Sequence, residues 1–177
     1  TSSAVVREKE NGNLEQLLVT PIRPYELIVG KLIPYLIVGL VIALTVLSVA
    51  HFLFEIPLRG SPILLFLLTG LYMMVCLGLG LLASTVADNQ MQASQMIMLF
   101  AAPSILLSGF FFPRETMPKA IYLLGDIIPL TFFLRIIRGI LLKGLHLSDL
   151  WPEVGVLTLM ATVVLTLSVL KFHKRLS

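Results

Sequence analysis

The sequence predicts an all-α integral membrane domain: about four transmembrane helices, a cytoplasmic amphipathic helix ahead of them, and a re-entrant or interfacial helical hairpin before the last span. Three observations carry that expectation. Of 177 residues, 57% are hydrophobic and 13% charged, with mean hydropathy +0.96, about half the charged fraction of a soluble domain. The apolar residues gather into runs of the roughly 20 residues that one helix needs to cross hydrocarbon, without the period-2 alternation of a barrel. Finally, the stretch from Pro103 to Gly139 is equally apolar but broken by Pro113, Pro118 and Pro129. Backbone groups freed by such breaks must be buried in protein or line a water-filled cavity. A conduit or gate is expected there.

Residues 1–31 form the only long polar region, and residues 32–177 form the membrane domain. Thr1 has no initiator Met before it and no charged n-region follows, so Thr1 to Val6 read as the tail of something longer rather than as a signal peptide. Asn11-Gly12 is a helix stop. Asn13 then offers an N-cap, with Gln16 at capping-box distance. Leu14, Leu17 and Leu18 share one face, which predicts a short amphipathic helix over 14–19. Thr20-Pro21 ends it, because the residue before a proline is pushed out of the helical region. Pro24 suits the first position of the next helix.

The spans are expected at about 32–54, 62–86, 93–112 and 151–170. Pro34 near the start of the first is a candidate kink. Ser61-Pro62 is a cap followed by a first-turn proline, and Gly78, Gly80, Ala83 and Ser84 make a small-residue patch suited to close helix approach. Residues 113–150 are the re-entrant or extracytoplasmic region. Within it, 118–125 and 130–142 read as short helices. The second holds Arg135 and Arg138, each costly at the bilayer centre, so it is not expected to span. Trp151 sits at interfacial depth at the start of the last span. Four spans put both termini on one side. Lys171, Lys174 and Arg175, with Arg7, Lys9, Arg23 and Lys31, mark that side as cytoplasmic.

No catalytic constellation is present. His51, His146 and His173 are scattered over three segments and lack metal-ligand spacing. Gly30-Lys31 has no upstream glycine at phosphate-loop distance, so ATP hydrolysis would belong to another chain. Glu55, Asp88 and Asp126 fall at span ends or in connectors, which argues against ion-coupled transport. The single cysteine, Cys76, reads as a small buried packing residue. Met73, Met74, Met96 and Met98 could offer an adaptable apolar surface or simply pack. The net charge of +3 reflects loop bias rather than a nucleic-acid partner.

Two blocks resemble a known family, the membrane subunit (permease) of ABC-2 type exporters, and within it the bacterial multidrug-export subgroup. The first runs Arg7-Glu-Lys-Glu10-Asn-Gly12-Asn-Leu14-Glu-Gln-Leu17-Leu18-Val-Thr20-Pro21, followed by Tyr25-Glu26-Leu27 and Gly30-Lys31. The second comprises Leu107-Ser108-Gly109-Phe-Phe-Phe-Pro113, Met117-Pro118, Pro129-Leu130 and Arg138-Gly139. The resemblance implies a multi-pass protein of the bacterial inner membrane that needs no cofactor of its own. ATP and Mg would bind a separate ATPase subunit, and a second permease subunit, identical or homologous, would complete the path.

It also implies residue roles. Glu8, Glu10, Gly12, Leu14, Glu15, Leu17, Leu18, Thr20 and Pro21 would form the element that couples to the ATPase. The same leucine face would equally suit the inner membrane surface. Leu107, Phe110 and Phe111 would form an outer gate, with packing against lipid as the plainer alternative. Pro113, Met117, Pro118, Pro129, Arg135 and Arg138 would shape the re-entrant region. Complete permeases of this type have six spans, of which the first two are absent here. The rivals are a secondary transporter or channel without an ATPase, and a membrane scaffold that transports nothing.

Overall fold

The computed structural model describes the backbone of residues 24–176 and the side chains of residues 29, 30 and 32–171. The amphipathic helix and the coupling residues Glu8 to Pro21 lie outside the described residues. Six α-helices follow in order: α1 (Pro24–Phe52), α2 (Pro62–Val86), α3 (Gln90–Leu107), α4 (Lys119–Gly125), α5 (Pro129–Arg138) and α6 (Trp151–Leu176). A 3-10 turn, Arg114–Thr116, precedes α4, and α5 runs on into a π turn over Gly139–Lys143. Among the described residues, three helices are long and apolar enough to cross a membrane, at Leu32–Phe52, Pro62–Val86 and Trp151–Lys171. The α4–α5 pair is bent by 86° at a break of four residues or fewer, the geometry of a re-entrant hairpin.

Local chemistry explains the ends. Ser61 Oγ accepts the Leu64 N–H at 3.4 Å and Pro62 occupies the first turn of α2, where a missing N–H costs nothing. Asn89 Oδ1 accepts the Gln92 N–H at 2.8 Å, while Gln92 Oε1 accepts the Asp88 N–H at 2.7 Å. This reciprocal cap starts α3 three residues ahead of the expected 93. α3 then stops at Leu107 rather than 112, because Gly109 takes a left-handed φ of +88°. At 18 residues, α3 is about 27 Å long, just short of a hydrocarbon core of about 30 Å, and Gln90, Gln92 and Gln95 polarise its first turns. It is not among the three helices that qualify to cross. Pro34 lies inside α1 without ending it.

The most extensive helix pairing joins α2 to α6. Lipid is as apolar as leucine, so close packing rather than water exclusion holds such a pair. Gly78 makes it possible: a Cβ there would stand 2.9 Å from Val164 Cγ1 and 3.2 Å from Leu165 Cδ2. Buried Ser168 donates to the Gly78 carbonyl at 3.1 Å. The core extends from this pair into the hairpin. Phe132, Ile136 and Ile140 fall on one face of α5 and its π extension, packed with Leu65, Leu68, Val75, Leu157 and Ala161. Phe133 stacks on Tyr72 of α2, with centroids 4.1 Å apart and planes within 4°. The hairpin is therefore part of the core, whereas no residue in the most apolar stretch of α1 is buried.

Candidate functional site

The hairpin separates two spaces of opposite character, and each begins from residue patterning on α5. Its apolar face enters the core, leaving Arg135 and Arg138 on the side toward the end of α3. Asp126, in the turn between α4 and α5, accepts on a single oxygen, Oδ1, from Arg114 Nη1 at 2.8 Å and Arg135 Nη2 at 3.2 Å. Arg114 is buried. Its Nη2 donates to the Tyr122 carbonyl at 2.6 Å, and its guanidinium lies 4.0 Å from the Tyr122 ring centroid, a close cation–π contact. Arg138 Nη2 donates to the Gly109 carbonyl at 2.8 Å, tying α5 to the turn after α3. Thr131, fully buried, donates to the Gly125 carbonyl at 2.6 Å and closes the hairpin tip.

Two glycines permit this close approach. A Cβ on Gly125 would sit 2.8 Å from the Leu107 carbonyl oxygen, and one on Gly109 would sit 2.7 Å from Arg114 Cγ besides straining its positive φ. The result is a polar pocket of about 530 Å³ whose lining includes Arg114, Arg135, Arg138, Tyr122, Phe110 and Phe111.

The second space, about 730 Å³, lies between α2 and α3, with Ile128, Pro129 and Leu130 of the hairpin tip among its walls. Leu79, Gly80, Ala83 and Val86 line it from α2; Met96, Ile97, Phe100 and Ile105 line it from α3. Tyr72, Cys76 and Ser104 are its few polar groups. Cys76 corrects the sequence expectation: it is exposed toward this cavity, not buried. Val75 and Gly78 are the buried positions facing the core, and one residue on from Val75 the helix has turned by about 100°. Of the four methionines singled out earlier, only Met96 lines the cavity. Met73 packs near Gly39, and Met74 and Met98 are exposed.

The proposed gate residues are split by the early end of α3. Leu107 is its last residue and half-buried, whereas Phe110 and Phe111 lie in the following turn, exposed, as an edge-to-face pair 5.0 Å apart. Pro113 and Pro118 precede the 3-10 turn and α4 directly, Met117 lies between those two elements, and Pro129 opens α5. The anchoring role of Arg114 and Asp126 was missed in the sequence. The available signal was two opposite charges inside one apolar segment, since intramembrane charges pair with one another.

What the arrangement offers chemically is shelter for an apolar body beside a guanidinium cluster, with no nucleophile–base pair among the described residues. Comparison with known proteins matches residues 1–142 to the ABC-2 type transporter family model. The chain is 38% identical over 177 residues to a probable multidrug ABC transporter permease, YbhS, of Escherichia coli strain K12, covering 99% of this chain and 47% of the relative. It is 38% identical over 151 residues to the probable multidrug ABC transporter permease YbhR of the same strain, covering 85% and 41%. The inner membrane transport permease YhhJ, also from that strain, is 30% identical over 175 residues, covering 98% and 47%. The chain thus spans about half the length of the curated relatives it matches.

Proposed function

This chain belongs to the ABC-2 type transporter family, and on that premise we propose that it is part of a bacterial inner-membrane permease of an ATP-binding-cassette exporter. It forms half of a translocation path for hydrophobic or amphipathic small molecules. The observation that carries the reading is the apolar cavity of about 730 Å³ between α2 and α3, walled on one side by the hairpin tip. A pocket of that size and lining suits an apolar ligand oriented by a few polar groups. Two of the relatives bear the name of probable multidrug permeases.

ATP and Mg bind a separate ATPase subunit, which docks on residues 8–21, and a second permease subunit supplies the other half of the path. Both termini face the cytoplasm. The hairpin then lies toward the outside, on the same side as the α1–α2 turn, where the Arg59 N–H donates to the Leu141 carbonyl at 3.3 Å. Closure of the nucleotide-binding dimer pushes through the docking helix, and the path switches between inward and outward access.

Copurification tests the coupling. Leu17→Asp or Leu18→Asp should abolish recovery of the ATPase with the permease, because a carboxylate placed in an apolar groove loses both packing and hydration. An intact complex in both variants would remove residues 8–21 from the interface. Activity that persists after the ion gradient is collapsed, with ATP present, separates this reading from a secondary transporter. The gate role of Leu107, Phe110 and Phe111 has its own readout. Phe110→Ala with Phe111→Ala should raise leakage of a hydrophobic dye from proteoliposomes without ATP, by about threefold or more, as two rings leave the outer end of the path. Unchanged leakage would return them to packing.

A further inference from the structure

The guanidinium pocket is unbalanced in charge. Arg114, Arg135 and Arg138 face it, while the carboxylates near it are Asp126 and Glu115, and Asp126 alone makes ion pairs, both through one oxygen. Arg138 follows Arg135 by three residues and so lies beside it on the helix surface. Among the described residues it has no carboxylate partner and uses one N–H on the Gly109 carbonyl. Arg114 keeps its Nε buried without an acceptor. Glu115 is exposed at the margin and unpaired among the described residues.

The pocket's setting says what would balance it. It lies against the C-terminal end of α3, where Ser108, Gly109, Phe110 and Phe111 of the following turn line it. Besides the arginines, its lining combines Ser108, Tyr122 and Thr131 with the apolar Leu134 and the exposed Phe110 and Phe111. Arginine forks match phosphate oxygens in pairs. A volume of about 530 Å³ accommodates a headgroup with its first carbons.

We infer that this pocket binds the phosphate of a phospholipid, held by Arg135 and Arg138, with the lipid's apolar part lying along Phe110, Phe111 and Leu134. The bound lipid supplies the negative charge that the protein lacks and fastens α5 to the turn after α3. The site is separate from the apolar cavity and stands whether or not that cavity carries cargo.

The test is a titration of the full-length permease in detergent with dihexanoyl-phosphatidylglycerol, read by thermophoresis. Dihexanoyl-glycerol, which lacks the phosphate, and inorganic phosphate run in parallel. Saturable binding of the phospholipid should weaken about tenfold or more in R135Q/R138Q. R135K/R138K should fall between wild type and R135Q/R138Q, because charge survives while the fork geometry is lost. Lys119→Gln, outside the pocket, should leave it unchanged. Inorganic phosphate that binds alone and is lost in the same double variant would uphold the phosphate site with free phosphate as its source. Equal binding by wild type and R135Q/R138Q, or equal binding of dihexanoyl-glycerol, overturns the assignment. Should the double variant fail to fold, as judged by circular dichroism, Arg138→Gln alone replaces it and should weaken binding about threefold or more; an unchanged affinity there overturns the inference too.

Discussion

Asp126→Ala is expected to destabilise the chain by about 3 kcal/mol, the lower end for removing one partner of a buried ion pair. The lower end applies because Asp126 keeps about a third of its side-chain surface exposed, whereas Arg114 is only 9% exposed. In a chain of this size that corresponds to a fall of about 6–12 °C in Tm, measurable by thermal unfolding in detergent. The cost comes mainly from what is left behind. Arg114 would stay buried with the Tyr122 carbonyl and ring as its remaining partners. Arg135, more exposed, can turn toward water.

Two companion variants separate charge pairing from simple loss of atoms. Asp126→Asn keeps an acceptor but no charge and should fall between wild type and alanine. Arg114→Met combined with Asp126→Leu removes the buried charge together with its partner and should recover most of the loss. Glu115→Gln should change little, since its exposed carboxylate forms no ion pair among the described residues. If Asp126→Ala unfolds at the wild-type temperature, the pair does not hold the hairpin.

The anchor at Asp126 shows where sequence reasoning stopped. Hydropathy set the all-α membrane class, and the prolines at 113, 118 and 129 marked the hairpin, because both signals are local. Pairing between Arg114 and Asp126 is not local. It depends on an 86° bend and on the absence of a Cβ at Gly125, and neither can be read from spacing. From the chain alone, Asp126 looked like a connector carboxylate.

The face of Cys76 was hidden for a related reason. α2 is apolar nearly all round, so periodicity alone cannot say which side meets α6 and which meets a cavity. The amphipathic pattern of α5 was legible: arginines at 135 and 138 opposed to Phe132 and Ile136. In the structure Phe132 and Ile136 enter the core while Arg135 and Arg138 line the polar pocket, in keeping with a re-entrant or interfacial helix that does not span.

Ala83→Trp is expected to reduce transport and substrate-stimulated ATPase activity about tenfold or more in the permease reconstituted with its ATPase, while leaving the fold nearly intact. Two sides of α2 respond differently to added bulk. At Gly78 an added Cβ would already press within 2.9 Å of Val164, so bulk there must separate α2 from α6. Overpacking of that kind costs about 1–3 kcal/mol or more. Ala83, five residues on, lines the cavity instead, so an indole has space to enter without displacing a neighbouring helix.

A tryptophan would take up volume that an apolar cargo needs, and lost affinity of about 1.4 kcal/mol is already tenfold. Cys76, the single cysteine of the sequence, provides an independent readout from the same cavity wall. A membrane-permeant maleimide should label it more slowly in Ala83→Trp, and cargo should protect it in the wild type. If the cavity were only a packing gap, filling it would raise Tm and leave transport unchanged, because added contacts would then stabilise without blocking anything. Transport and stability therefore move independently if the cavity is on the path. That separation distinguishes a route through the protein from a defect in its packing.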